Sequence, residues 1–247
     1  MNFYQLKEEI SNLLKKANLP NDNFQVVPGP IHSEGLFYEA RGTTYIYGYF
    51  ERGTVTIFCK TEDKKEFVYY ILRDIIKNYA IDYELKHRLW YQDTRRIWME
   101  KSLEWMKKID YSYYERLKEE YKIVLKYSGF NDAEAIKLNA IEEYKKLAKQ
   151  IEHSSVNIKN KKELKADIKK LVSLFNSIRH GTEERWELFK TATFQFLDFY
   201  RKIHDREIKL PSEVEAEWKF ALEKSIQVIN SCDNGANSMN KESGRQH

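Results

Sequence analysis

At 247 residues and 29.7 kDa the chain is long enough for one large domain or two small ones. Apolar residues at 42% and charged residues at 32% can bury a sizeable core, which excludes wholesale disorder. The 42 basic and 38 acidic side chains leave +4, too near balance to mark a polyanion binder.

Residues 3–17 predict a short amphipathic helix, with Leu6, Ile10, Leu13 and Leu14 at helical spacing and Asn18 near its exit. Pro20, Pro28 and Pro30 exclude regular helix through 19–35. Strand signals follow. Leu36 to Ala40, Thr43 to Phe50 and Val55 to Lys60 are rich in aromatic and β-branched residues. Arg41-Gly42 and Glu51-Arg52-Gly53 between them suit hairpin turns. The reading is a three-stranded antiparallel meander, four-stranded if Phe24 to Val27 joins.

Thr61-Glu62-Asp63 reads as a helix cap, and no Pro or Gly interrupts the chain from there to about Lys108. Phe67, Tyr70, Ile71, Leu72, Ile75, Ile76 and Tyr79 cover two faces, so that helix is expected to be buried on most sides, with a bend near Ala80-Ile81-Asp82. A further helix over 111–127 ends at Gly129. Beyond it, helices are expected at about 132–152, 161–179, 183–206 and 213–230. Gly181 and Thr182 punctuate the second and third, and Ser212 with Glu215 forms a capping box for the last. The fold class is therefore α+β: a small antiparallel β-meander packed on helices, followed by a mainly α-helical C-terminal bundle. The expected divisions are 1–130, 131–232 as same or appended domain, and 233–247 as a flexible tail.

Chemistry leaves few marks. The six histidines never pair at i,i+4, and there is no HExxH, phosphate loop or nucleophile elbow, so no metal, cofactor or catalytic residue is proposed. Cys59 and Cys232 share no spacing motif, and two free thiols suit a reducing compartment. With no signal-like start and no long apolar run, a soluble, cytoplasmic protein is expected. Lys145 to Lys170 holds nine Lys against three acids. That run could meet nucleic acid through phosphates, but stacking aromatics are nearly absent from it, and a solvated helix face accounts for it better.

The most informative stretch is Glu84 to Glu100, ELKHRLWYQDTRRIWME. On a continuous helix Leu85, Leu89, Met99 and Leu103 share a stripe that also takes Gln92 and Arg96, with Glu84, Arg88, Tyr91 and Arg95 beside it. Charges on such a stripe are costly unless paired. One reading is an internal network through Glu84, Arg96 and Glu100, with Glu84 meeting Arg88 and Arg96 meeting Glu100 or Gln92 at i,i+4. The other is an array facing a partner.

ARGTTYIYGYFERG, Ala40 to Gly53, and ELKHRLWYQDTRR, Glu84 to Arg96, together resemble the bacterial Immunity protein 63 family. The matching positions are Glu51, Arg52, Gly53, Glu84, Leu85, Arg88, Gln92, Asp93, Arg95 and Arg96, and the resemblance spans about residues 35–128. It implies a non-catalytic cytoplasmic protein that binds a cognate polymorphic-toxin domain, with a nuclease among the candidate targets, and obstructs it stoichiometrically. Tyr45, Tyr47 and Tyr49 on one strand face, with Arg52, Arg88, Trp90, Tyr91 and Arg95, are the candidate toxin anchors, by residue types that dominate interfaces. The competing reading packs the tyrosine face on the helices. A nuclease target would call for an acidic patch, which Glu115, Glu119 and Glu120, or Glu183, Glu184 and Glu187, or Glu213, Glu215 and Glu217 could supply.

Overall fold

A computed structural model describes residues 2–20, 26–29, 34–154, 161–178, 185–206, 208 and 210–243. Its contacts separate two units: Met1–Arg88 with Thr94–Phe130, and Leu89–Asp93 with Asn131–His247.

The first unit opens on helix α1 (Phe3–Lys16). A reciprocal cap starts it: the Asn2 side chain accepts from the Gln5 N–H, and the Gln5 side chain accepts from the Asn2 N–H. Leu6, Ile10 and Leu14 turn inward and are fully buried. Asn18, with φ of 56°, lets the chain leave in a left-handed turn.

A four-stranded sheet in the order β1-β2-β3-β4 follows: β1 (Val27–Pro28), β2 (Gly35–Arg41), β3 (Thr44–Glu51) and β4 (Thr54–Thr61). β2, β3 and β4 form the expected antiparallel meander. β1 joins it by parallel pairing at Val27 and Pro28; Phe24 and Gln25 lie outside the described residues. The β3–β4 turn places Arg52 (φ 49°) and Gly53 (φ 81°) both in the left-handed region, which matches the twist of a two-residue hairpin. Phe58 has no partner in β3: the register steps from Tyr47↔Cys59 to Gly48↔Ile57. Gly48 is required there, because a Cβ on it would sit 2.4 Å from the Thr56 carbonyl oxygen and 3.0 Å from the Phe37 ring.

Helix α2 (Lys64–His87) is capped by Asp63, whose carboxylate accepts from the Lys65 N–H. It is the centre of the unit. Phe67, Val68, Tyr69, Ile71, Leu72, Ile75, Ile76 and Ala80 are buried among α1, the sheet and α3. Each large apolar side chain withdrawn in this way contributes about 1.5–3 kcal/mol against chain entropy. The bend expected near Ala80-Ile81-Asp82 does not occur, since the buried face continues through Ala80 to Glu84 and holds the helix to His87. The break comes at Arg88, which is extended (φ −60°, ψ 131°), and helix α3 (Thr94–Ile109) restarts after it. Helix α4 (Tyr111–Tyr127) begins at Asp110, whose carboxylate accepts from the Ser112 and Tyr113 N–H groups.

The second unit is a bundle of α5 (Asp132–Ser154), α6 (Lys161–Ile178), α7 (Arg185–Asp205) and α8 (Ser212–Ser243). α5 contacts the other three helices. The expected stripes are the core: Ile136, Ala140, Tyr144, Leu147 and Ile151 from α5, Leu164, Ile168, Leu171 and Phe175 from α6, Phe189, Phe196 and Ile203 from α7, and Trp218, Ala221, Leu222 and Ile229 from α8. Tyr144 stacks on Phe196 at 4.1 Å, and its hydroxyl meets Thr193 at 3.0 Å and Ser225 at 2.6 Å. Burial pushes that phenol up to about 12.

Two local expectations change in this unit. The Glu215 N–H donates to the Pro211 carbonyl, so Ser212 occupies the first turn and the Ser212–Glu215 capping box is not formed. α8 also runs beyond residue 230 to Ser243, so the expected flexible tail is helical over 233–243 in its backbone. The punctuating Gly181 and Thr182 lie outside the described residues. The chain as a whole is α+β, a sheet packed on helices followed by a helical region.

Candidate functional site

The expected anchors separate into distinct environments. Tyr45, Tyr47 and Tyr49 do share one sheet face. Tyr47 is fully buried and donates to the Asp74 carboxylate of α2 at 3.0 Å. Burial and Asp74 together push its phenol far above the usual tyrosine range. Tyr45 is half-buried and stacks on Phe67 of α2 at 5.1 Å, while Tyr49 is half-buried further along the strand. Tyr47 therefore presents no surface, and this face packs on the helix at its centre. Arg52 sits at the hairpin tip with its side chain 86% exposed.

The stripe drawn through 84–100 does not exist as one surface, because the backbone leaves helical geometry between Arg88 and Asp93 and the phase is lost. Leu85 and Leu89 are exposed in consequence. Glu84, only 2% exposed, is gripped by Arg88 through two bonds of 2.6 and 2.9 Å. This is the Glu84–Arg88 pair expected at i,i+4. Arg96 lies over the Phe130 ring at 4.1 Å, and Glu100 is exposed. Arg95 donates to the Ser128 carbonyl at 2.7 Å and the Gly129 carbonyl at 2.6 Å. It thereby satisfies carbonyls that α4 leaves at its negative end.

Within the second unit Trp90 and Tyr91 pack on α8. Tyr91 meets Phe220 edge-on at 5.0 Å, and Lys224 lies over both rings. Asp93 is tied to the start of α5 twice: its N–H donates to the Asp132 carboxylate, and its own carboxylate accepts from the Asn131 N–H, each at 2.9 Å.

One constellation escaped the sequence reading. Between α2, α4 and the end of β4 lies a chain of half-buried charges. Tyr47 donates to Asp74; Asp74 accepts from Arg73 at 3.1 Å; Arg73 reaches Glu120 at 3.5 Å. Arg116 bridges Glu120 and Glu66, each at 3.5 Å, and Thr61 donates to Glu66 at 2.7 Å. The Arg116 guanidinium covers the rings of Tyr69 and Tyr70 at 4.2 and 4.9 Å, and Arg73 lies over Tyr70 at 4.9 Å. Burial would lower the Arg73 pKa, but Asp74 and Glu120 carry it upward. Cys59 sits beneath, its thiol pushed up to about 11 by burial and by Glu66, which keeps it protonated and unreactive at neutral pH. Arg73, Arg116 and Tyr70 are 27%, 36% and partly exposed, so this is a fixed aromatic–arginine surface. Its Arg73–Asp74, Arg73–Tyr70 and Arg116–Glu120 steps are local on their helices; the links from Tyr47 to Asp74, Arg73 to Glu120 and Arg116 to Glu66 depend on tertiary approach.

The proposed acidic patches are mostly neutralised. Glu115, Glu119 and Glu120 pair with Lys118, Lys122 and Arg116, Glu187 with Lys190, and Glu215 with Lys219. Glu183 and Glu184 lie outside the described residues. In the basic run, Lys145 is 7% exposed and bound to Glu142, and Lys146 to Glu143. Among the described residues no group of three or more His, Cys, Asp or Glu could hold a metal, and no helix is long and apolar enough to cross a membrane.

Residues 41–123, which contain β3, β4, α2, α3 and most of α4, match the family model described as Immunity protein 63. No curated protein and no solved structure matches the chain.

Proposed function

We propose that this protein is a cytoplasmic immunity protein that binds a cognate toxin domain one-to-one and neutralises it by obstruction. The observation that carries the reading is the match of residues 41–123 to Immunity protein 63. The Tyr70–Arg73–Arg116 surface within that span supports it: arginine and tyrosine are the residue types enriched at binding hot spots, and these are held by Asp74, Glu66 and Glu120 before any partner arrives. Of the anchors expected from sequence, Tyr45, Tyr49 and Arg52 keep exposed surface for contact, whereas Arg88 and Arg95 are engaged within the fold.

The test is co-expression with the toxin domain encoded beside the gene, purification of the pair and titration against toxin activity. A one-to-one complex without activity supports the proposal, and Arg116→Ala or Tyr70→Ala then weakens binding while the melting temperature of the free protein stays within a few degrees. A toxin that stays active at excess protein, with no complex, refutes it.

A further inference from the structure

Strand β4 is the open edge of the sheet, and it is built unlike a protected one. Among the described residues no backbone group of 54–60 bonds to anything but β3. Val55, Ile57 and Phe58 are nevertheless 46%, 53% and 40% exposed; Val55 and Ile57 belong to neither buried core, and Phe58 touches one only by an edge-on contact with Tyr47 at 5.6 Å. Exposed apolar side chains on an open edge are what folded proteins normally remove.

The register shift at Phe58 gives this edge a specific symmetry. Thr54 and Thr56, before the shift, share the α2-facing side with Cys59 and Thr61 after it, while Val55, Ile57 and Lys60 occupy the opposite side. In an antiparallel pair, residues opposite one another share a face. A β4 strand laid antiparallel on a second β4, with the axis between Ile57 and Phe58, therefore sets Thr54 against Thr61, Val55 against Lys60 and Thr56 against Cys59, each of these three pairs on a common face, with Ile57 and the bulged Phe58 meeting at the axis. A regular strand could not satisfy that register. The ends match in charge as well. The same register carries the hairpin tip, where Arg52 projects, toward the end of the other copy's β4, which Glu62 and Asp63 follow, twice over.

We propose that β4 is a self-association edge, through which two copies of this chain join into one continuous sheet about a two-fold axis between Ile57 and Phe58. The interface is isologous, so it closes at two copies and leaves no further edge of the same kind. The proposal shares only Arg52 with the toxin reading, because the aromatic–arginine surface lies on α2 and α4, and Ile57 belongs to neither.

Sedimentation of the full chain across a concentration series tests it. The expected result is a species of twice 29.7 kDa that dissociates on dilution. Ile57→Lys, at a side chain outside both cores, is expected to leave the melting temperature unchanged and the protein monomeric. Arg52→Glu raises the dimer dissociation constant about tenfold, and adding Glu62→Arg brings it back. A chain that sediments as the monomer at every concentration overturns the proposal, as does a dimer indifferent to Ile57→Lys. A monomer whose toxin binding is lost on Ile57→Lys also overturns it, assigning the edge to the toxin.

Discussion

Arg88 stands where two explanations of the same residue make opposite forecasts. Its guanidinium holds Glu84, a carboxylate only 2% exposed, through bonds of 2.6 and 2.9 Å. Breaking a fully buried pair costs about 3–5 kcal/mol. The Arg88 side chain is 46% exposed, so water replaces part of what it supplied, and the cost approaches that of losing charged hydrogen bonds, about 2 kcal/mol. With a urea slope of about 2 kcal/mol per molar, Arg88→Ala is expected to lower the unfolding midpoint by about 1 M. Glu84→Gln added to that variant removes the stranded charge and recovers about half of the loss. The assay is urea unfolding followed by circular dichroism, alongside toxin affinity at a temperature where each variant is folded. If Arg88→Ala leaves the midpoint unchanged while affinity falls tenfold or more, Arg88 is a partner anchor and the structural argument is wrong.

Other perturbations bear on the same framework. Gly48→Ala is expected to destabilise by about 1–3 kcal/mol, since its Cβ would meet the Thr56 carbonyl at 2.4 Å; an unchanged melting temperature would contradict the strand geometry. Tyr144→Phe removes the donor to the buried Ser225 hydroxyl, while Thr193 keeps its bond to the Phe189 carbonyl, and is expected to cost about 1–2 kcal/mol in chemical unfolding, with no effect on toxin binding if that lies in the first unit. Asp110 is held below its usual pKa by the Ser112 hydroxyl and by the backbone N–H groups of Tyr113 and Ser112. Its folded pKa being depressed, its contribution is complete above the unfolded value and is lost as pH falls through the folded one. Asp110→Asn is therefore expected to keep most of the cap and flatten that acid limb, whereas Asp110→Ala costs about 1 kcal/mol at neutral pH. Stability profiles of the three proteins against pH distinguish these outcomes.

Local chemistry made the meander and the helix stripes readable. Tyr, Phe, Ile and Thr alternate through 44–51, the Arg52-Gly53 tip supplies two left-handed positions, and Tyr144, Phe196 and Trp218 recur at helical spacing. The interruption after His87 was not readable, because neither Pro nor Gly marks it. It is made by long-range partners: Trp90 and Tyr91 bury against Phe220, and Asp93 donates to Asp132 and accepts from Asn131. Extrapolating one helix across it moved Arg96 onto an imagined stripe, while Glu84–Arg88 survived because both residues lie on the near side. The Arg73–Glu120–Arg116–Glu66 chain was hidden for the same reason: its members are brought together from α2 and α4, some fifty positions apart.

The five residues 89–93 also bear on how relatives of this protein can diverge. They fall inside the span that matches Immunity protein 63, yet their packing partners Phe220, Lys224 and Asn139 lie far beyond it. A recombination event that exchanged residues 41–123 for a relative's would import a foreign Trp-Tyr pair onto an α8 that had never accommodated it. Inheritance should therefore couple positions 90 and 91 to 220 and 224, and a graft that spares 89–93 should be tolerated where a whole-segment exchange is not.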